Sequence, residues 1–173
     1  MEVPLAERIR PQSIDDYIGQ SHLMGEHGVL RKIIRADVIP SMIFWGPPGV
    51  GKTTLAQLIA KHLDRPIHTL SAISSGVKDV REEIDSAKFQ LAHKGVQTLL
   101  FIDEVHRFNK AQQDALLPAV EDKLITLVAA TTENPAFSII CHRWVIRRLS
   151  WVLWSNKLAG SHSRFWVHSH SAP

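Results

Sequence analysis

The hydrophobic residues of this chain fall into short continuous runs separated by segments of helical spacing. Continuous apolar runs of four to eight residues are typical of strands that are buried on both faces of a sheet. Turn-forming residues or helical segments flank each run. The pattern therefore predicts four strands, over residues 42–45, 66–70, 96–103 and 124–130.

Helical spacing separates these runs. Leu55, Leu58, Ile59 and Leu63 predict a helix over 52–63. A second helix is predicted over 77–93, with Gly95 at its end.

A third helix is predicted to begin at Lys110, because Asn109 can cap it and Gln112 stands at its third position. Pro118 is expected to kink or end it, since proline cannot donate the helical hydrogen bond.

Alternating strands and helices predict an α/β fold with a parallel sheet covered by helices on both faces. We expect one nucleotide-binding core over residues 1–138 and a separate tail over 139–173 that is poorly ordered. The core should be incomplete at its C-terminal side. The stretch 151–154 could fill the open sheet edge only by accident.

A glycine-rich motif joins the first strand to the next helix. The run reads Gly46-Pro47-Pro48-Gly49-Val50-Gly51-Lys52-Thr53 and matches the phosphate-binding pattern G-x-x-x-x-G-K-[ST]. Glycines allow backbone N–H groups to close around phosphate oxygens at a helix N-terminus. Lys52 should reach the β- and γ-phosphates, and the Thr53 hydroxyl should ligate Mg²⁺. The alternative is an ordinary strand-to-helix turn.

Two acids follow the apolar run Leu99-Leu100-Phe101-Ile102. Asp103 and Glu104 would leave the sheet at the carboxyl end of a strand, where ligands bind in open α/β sheets. Asp103 is expected to hold Mg²⁺, and Glu104 to orient and polarise an attacking water. By itself, the acid pair would indicate only a strand that ends in acidic residues at the surface. Together with the phosphate loop, it indicates a hydrolytic site.

A third polar segment, Thr131-Thr132-Glu133-Asn134, follows the last predicted strand. Either Thr132 or Asn134 could sense the γ-phosphate or hold the water. The alternative is a turn, because Asn-Pro is a frequent turn dipeptide.

Composition limits the classes that remain. The chain has 173 residues, a formal net charge of +3 and one cysteine, so an internal disulfide framework or a cysteine-based zinc site is excluded. No apolar run approaches the ~20 residues of a membrane-spanning helix. A cytoplasmic location is the expectation. Residues 1–133 carry 17 acidic and 15 basic residues, whereas the last 40 carry five basic residues and no acid.

The motifs together resemble one family. The segments 46–54, 101–113 and 130–135 are similar to an AAA+ ATPase of the clamp-loader-related group. The greatest likeness is to the replication-associated recombination protein A family, whose eukaryotic relative is the Werner-helicase-interacting protein. N-terminal segments 4–11 and 17–23 also resemble that family, and the likeness runs from about residue 3 to residue 138.

The resemblance implies a P-loop NTPase core that uses ATP and Mg²⁺. Ile18 and Gly19 would lie near the adenine, and Asn134 would be the sensor on the fourth strand. Lys52, Asp103 and Glu104 would serve hydrolysis, with Thr53 and Asp103 on the metal. The nucleotide-binding residues would be Gly46, Pro47, Pro48, Gly49, Val50, Gly51, Lys52, Thr53 and Thr54.

The same resemblance implies a DNA-dependent ATPase that acts at stalled or damaged replication forks. Implied partners are DNA ends, single-stranded gaps or forks, single-strand-binding protein and further copies of the chain. A nucleoid-associated cytoplasmic location follows. The alternatives are a clamp-loader subunit, a Holliday-junction branch-migration motor, or a nucleotide-binding fragment without turnover. A small-molecule kinase is a weaker rival, because the acid pair indicates water as the acceptor.

The likeness stops near residue 138. The family continues there with a helix that carries an arginine acting on the neighbouring subunit, then a helical lid and an oligomerisation region. This chain instead has an acid-free stretch rich in Trp, His and Ser. We expect a tail that is divergent or translated out of frame, and weak or absent ATP turnover by the chain.

Overall fold

A computed structural model describes Arg8, residues 10–133 and the backbone of residues 150–153. Five helices are described: α1 (Ser21–Met24), α2 (Val29–Arg35), α3 (Lys52–His62), α4 (Val77–Lys94) and α5 (Lys110–Glu121). The strands are β1 (Met42–Trp45), β2 (Ile67–Ser71), β3 (Thr98–Asp103), β4 (Ile125–Thr131) and β5 (Ser150–Leu153), and a 3₁₀ turn spans Val105–Arg107. The predicted α/β class is confirmed.

The described strands form one parallel sheet in the order β2-β3-β4-β1-β5. Side chains of β4 alternate between its two faces, as the pleat of a strand requires. Val128 packs with α3 and the N-terminal helices, whereas Leu127 and Ala129 pack with α4 and α5. The sheet is therefore covered on both faces, which explains the continuous apolar runs.

The order of strands decides where the chemistry lies. β1 is flanked by β4 and β5, and β3 lies on the other side of β4. All carboxyl ends of parallel strands meet at one edge of the sheet, so the loops after β1, β3 and β4 converge there.

One helix does not end at its proline, where an end or a kink was expected. α5 runs to Glu121 with Pro118 inside it, three residues beyond the proline. Leu116 and Ala119 of this helix are buried on either side of the proline. Their burial offsets the one backbone hydrogen bond that a proline cannot donate.

The sheet edge beside β1 is occupied by a strand from the tail, which overlaps the stretch that was expected to fill it only by accident. Ser150–Leu153 pairs in parallel with β1, with Met42 opposite Ser150 and Trp45 opposite Leu153. Neighbouring strands pair through hydrogen bonds between backbone groups. A segment that favours an extended conformation can therefore pair at the edge of a sheet even when its sequence does not resemble the family's. No described helix is long and apolar enough to span a membrane.

Candidate functional site

The phosphate loop is the link between β1 and α3. Gly49 and Gly51 have φ values of +74° and +90°, a left-handed backbone that glycine adopts without penalty. The Gly46 N–H donates to the Thr131 carbonyl oxygen at 3.1 Å, which fixes the start of the loop to the end of β4. The α3 helix begins at Lys52, and Thr53 and Thr54 lie in its first turn.

Lys52 is folded beneath this loop. Its Nζ donates to the carbonyl oxygens of Gly46 and Pro47, both at 2.8 Å, and the residue is 7% exposed. Burial lowers the pKa of Lys52, and the nearby carboxylates of Glu104 and Asp103 partly offset that shift. The ammonium group thus donates to two carbonyl oxygens. When a nucleotide binds, its phosphate oxygens can take their place as acceptors.

The two loop glycines give a matched test of this backbone. We expect Gly49→Ala to lower the free energy of unfolding by about 1–2 kcal/mol, the cost of a left-handed residue. Gly51→Ala should cost more, because its new Cβ would lie 3.0 Å from the Tyr17 hydroxyl oxygen. Urea unfolding measures both. In a Tyr17→Phe background the difference between the two variants should shrink; equal losses in the parent would contradict the prediction.

The acid pair lies at the carboxyl end of β3. Asp103 ends the strand, and Glu104 follows in a left-handed conformation at φ 53° and ψ 42°. The Glu104 N–H donates to Asp103 Oδ1 at 3.0 Å. The Thr132 hydroxyl, which follows β4, donates to Glu104 Oε2 at 3.3 Å. The left-handed residue turns the chain sharply, so both carboxylates stay at the sheet edge, beside Lys52.

A histidine that the sequence interpretation passed over lies beside Glu104. The side chain of His106 is 7% exposed, and its Nδ1 lies 3.4 Å from Glu104 Oε2. The same nitrogen lies 3.0 Å from Thr131 Oγ1, and Nε2 lies 3.7 Å from Glu133 Oε1. The signal available in the sequence was position alone, two residues after the acid pair in Asp103-Glu104-Val105-His106.

A cavity of about 530 Å³ opens beside the phosphate loop. Tyr17 forms part of its wall, and the Tyr17 hydroxyl donates to the Val50 carbonyl oxygen at 3.5 Å. Burial raises the pKa of Tyr17 to about 12. Ile18 is 95% exposed at the cavity. The cavity is lined by Arg10, Pro11, Gln12, Asp16, Tyr17, Ile18, Gly49, Val50, Gly51 and Thr54.

The structure brings most of the predicted site residues to one edge. The charges of Glu104 and Asp103 both act to raise the pKa of Lys52, so the phosphate loop and the acid pair lie side by side. Ile18 lines the adjoining cavity, and Gly19 follows it with φ +102° without being part of the wall. Asn134 lies outside the described residues.

The donors at this edge suit Mg²⁺. Magnesium takes oxygen ligands and is commonly bound by one or two carboxylates together with substrate phosphates. The Thr53 hydroxyl and the Asp103 carboxylate are oxygen donors on adjoining elements, the first turn of α3 and the end of β3. The residues present therefore fit a magnesium ion that arrives with a nucleotide.

Comparison with known proteins bears on this site. Residues 9–142 match the domain family described as the Holliday junction DNA helicase RuvB P-loop domain. The chain is 56% identical over 137 residues to replication-associated recombination protein A of Haemophilus influenzae, covering 79% of this chain and 30% of that protein. Identity to ATPase WRNIP1 of Dictyostelium discoideum is 50% over 136 residues, covering 79% of this chain and 15% of that protein.

Solved structures give a similar result. The chain is similar to the RuvB Holliday junction branch migration motor of Thermotoga maritima, with a TM-score of 0.65 and 30% identity. That match covers 84% of this chain and 48% of the RuvB chain. The chain spans about 30% of the length of the bacterial curated relatives that it matches.

Proposed function

The chain belongs to the Holliday junction DNA helicase RuvB P-loop domain family of AAA+ ATPases, and we propose that it is a Mg²⁺·ATP-binding core of a replication and recombination factor. Its resemblance to replication-associated recombination protein A is confirmed by 56% identity to one such protein. The observation that carries the proposal is the buried Lys52 ammonium, which lies on the carbonyl oxygens of a glycine-rich loop beside two carboxylates.

Each residue of the site has a role in this proposal. Lys52 leaves the Gly46 and Pro47 carbonyls and binds the β- and γ-phosphates, while backbone N–H groups of the loop contact phosphate oxygens. Thr53 and Asp103 would hold Mg²⁺, which supplies charge neutralisation at the phosphates. Glu104 orients the attacking water. Asn134 is proposed as the γ-phosphate sensor, and Ile18 and Gly19 as the adenine contacts.

We propose that the chain by itself turns ATP over weakly or not at all. The family resemblance implies an arginine supplied to the neighbouring subunit's nucleotide, and residues 139–173 contain no recognisable counterpart. Arginines supplied in this way raise kcat by a factor of about 10³–10⁵ in other phosphoryl-transfer enzymes. The residues contributed by the core would then bind Mg²⁺·ATP and hydrolyse it slowly.

For the complete factor, we propose DNA-dependent action at stalled forks, in the cytoplasm at the nucleoid. Its partners would be DNA, single-strand-binding protein and further copies of the chain. Identity favours this over a branch-migration motor, because the relatives named for recombination are 41–56% identical whereas RuvB is 30% identical. A clamp-loader subunit is a further alternative. Residues 1–133 have a net charge of −2, so DNA contact would need a local rather than a broad basic surface.

The test measures ATP binding by calorimetry and hydrolysis with and without forked DNA, using Glu104→Gln as the control. Mg²⁺·ATP binding, with steady-state turnover near the detection limit and slow single-turnover hydrolysis that the variant loses, would support the proposal. DNA-stimulated turnover that the variant loses would support the site and overturn the proposal of weak activity. Absence of nucleotide binding would overturn both.

The tail is a separate proposal. We propose that residues 139–173 are read out of frame or have diverged, because the acid-free composition begins where the likeness ends. The match to the Haemophilus influenzae relative covers 137 of the 173 residues. Sequencing the coding DNA tests the frame-shift version, which fails when no single-base change restores a family-like continuation.

A further inference from the structure

His106 lies at the meeting point of two strand ends. It belongs to the 3₁₀ turn after β3, and it contacts Thr131 and Glu133 at the end of β4. Its side chain is 7% exposed, so its ring nitrogens need partners within the protein. Its neighbour across this contact is Glu104, the proposed water-orienting residue.

The bonds of Thr131 determine which ring nitrogen carries the hydrogen. Thr131 Oγ1 donates to the Glu133 carbonyl oxygen at 3.3 Å and accepts the Glu133 N–H at 3.1 Å. A hydroxyl has a single hydrogen, so the contact at 3.0 Å must use a lone pair of Thr131 Oγ1 and a hydrogen on His106 Nδ1. The hydrogen-bond network thereby assigns the Nδ1–H form of the ring.

The same nitrogen also lies close to the proposed catalytic carboxylate, at ion-pair distance. His106 Nδ1 lies 3.4 Å from Glu104 Oε2, and the Thr132 hydroxyl donates to that oxygen at 3.3 Å. Both groups approach one oxygen of the carboxylate, one from the 3₁₀ turn and one from the end of β4. A hydrogen bond from Thr132 and an electrostatic contact with His106 on the same oxygen restrict rotation of the carboxylate group and select the direction in which its other oxygen points.

We infer that His106 is a positioning residue, which orients the Glu104 carboxylate through Nδ1–H and joins it to the end of β4. The inference rests on the proposed function, since it assigns a purpose to the orientation of Glu104.

Three substitutions distinguish positioning from simple packing. An asparagine places its amide N–H₂ near the position of Nδ1, whereas a glutamine places it near that of Nε2. We expect His106→Ala and His106→Gln to lower single-turnover ATP hydrolysis by about 10-fold or more, the usual cost of losing an orienting partner. His106→Asn should recover most of the rate, and the Kd for Mg²⁺·ATP should stay near that of the parent in all three.

The outcomes separate cleanly when each variant's thermal unfolding is also measured. Equal rates in the asparagine and glutamine variants would overturn the role of Nδ1. If the variants lost hydrolysis rate, affinity for Mg²⁺·ATP and thermal stability together, His106 would have a structural role only. His93→Asn is the matched control. His93 lies in the last turn of α4, away from the site, and the centroid of its ring lies 3.8 Å from that of Phe89.

A second measurement needs no nucleotide. Imidazole ¹⁵N NMR of the ligand-free protein should show His106 in the Nδ1–H form, and Glu104→Gln should shift its ring signals. An Nε2–H form would overturn the inference. If the parent bound no Mg²⁺·ATP, the proposed function would fail by itself, while the NMR result would still decide the tautomer of His106 and its contact with Glu104.

Discussion

Replacement of Lys52 by methionine is expected to abolish useful nucleotide binding while leaving the fold intact. Losing one partner of a buried, hydrogen-bonded charge pair costs about 2–5 kcal/mol of binding free energy, which is about 30-fold to 4,000-fold in Kd. The ligand-free variant should keep its cooperative transition but melt at a somewhat lower temperature than the parent, because the Gly46 and Pro47 carbonyl oxygens lose their donor. Burial lowers the pKa of Lys52, so the apolar methionine chain of similar length offsets part of that loss.

Calorimetric titration with Mg²⁺·ATP and thermal unfolding of the ligand-free protein check both halves of this expectation. Lys88→Met is a matched control, since Lys88 is an exposed lysine on α4 that pairs with Asp85 at 3.1 Å. That variant should bind nucleotide as the parent does. A Kd for Lys52→Met within threefold of the parent's would contradict the role given to Lys52 and, with it, the proposed function.

Glu104→Gln is expected to remove residual hydrolysis while preserving ATP binding. Positioned proton transfer contributes about 10²–10⁴ in rate, and an amide cannot accept a proton from water as a carboxylate does. The amide keeps the shape of the side chain and an oxygen that can accept from the Thr132 hydroxyl, now 3.3 Å from Glu104 Oε2. Loss of a negative charge beside the phosphates should leave ATP affinity equal or higher.

Single-turnover hydrolysis with protein in excess over labelled ATP gives the sensitivity that a slow reaction needs. Glu82→Gln is the control, because Glu82 is exposed on α4 and pairs with Lys78 at 3.5 Å. Hydrolysis by Glu104→Gln at more than about a tenth of the parent rate would assign the water to another base. Loss of binding in this variant would instead make Glu104 a structural residue.

Much of the fold could be predicted from hydrophobic spacing, because burial imposes it on each element separately. The strand Met42–Trp45 and the starts of the helices at Lys52, Val77 and Lys110 agree with the sequence predictions. Asn109 and Gln112 form the capping box whose residues the sequence singled out. Helices α1 and α2 were missed, since each is too short to show a clear period.

The sequence is least informative where distant segments compete with local preference. Pro118 stands inside α5, because the burial of its helical neighbours outweighs one lost hydrogen bond. Ser150–Leu153 pairs with β1, because the ladder needs an extended backbone and not a particular sequence. Neither the continuation of α5 nor the pairing of β5 can be predicted from the local sequence alone.

The same division applies to the site. The sequence alone determined the phosphate loop and the acid pair, since glycines, a lysine and carboxylates at fixed spacing have few other physical uses. Only the tertiary structure decided that His106 contacts Thr131 and that Thr132 contacts Glu104. The two residues of each contact lie 25 or more positions apart, one on or before the turn after β3 and one at the end of β4. Adjacency of β3 and β4 in the sheet creates both contacts, and strand order is a property of the whole fold.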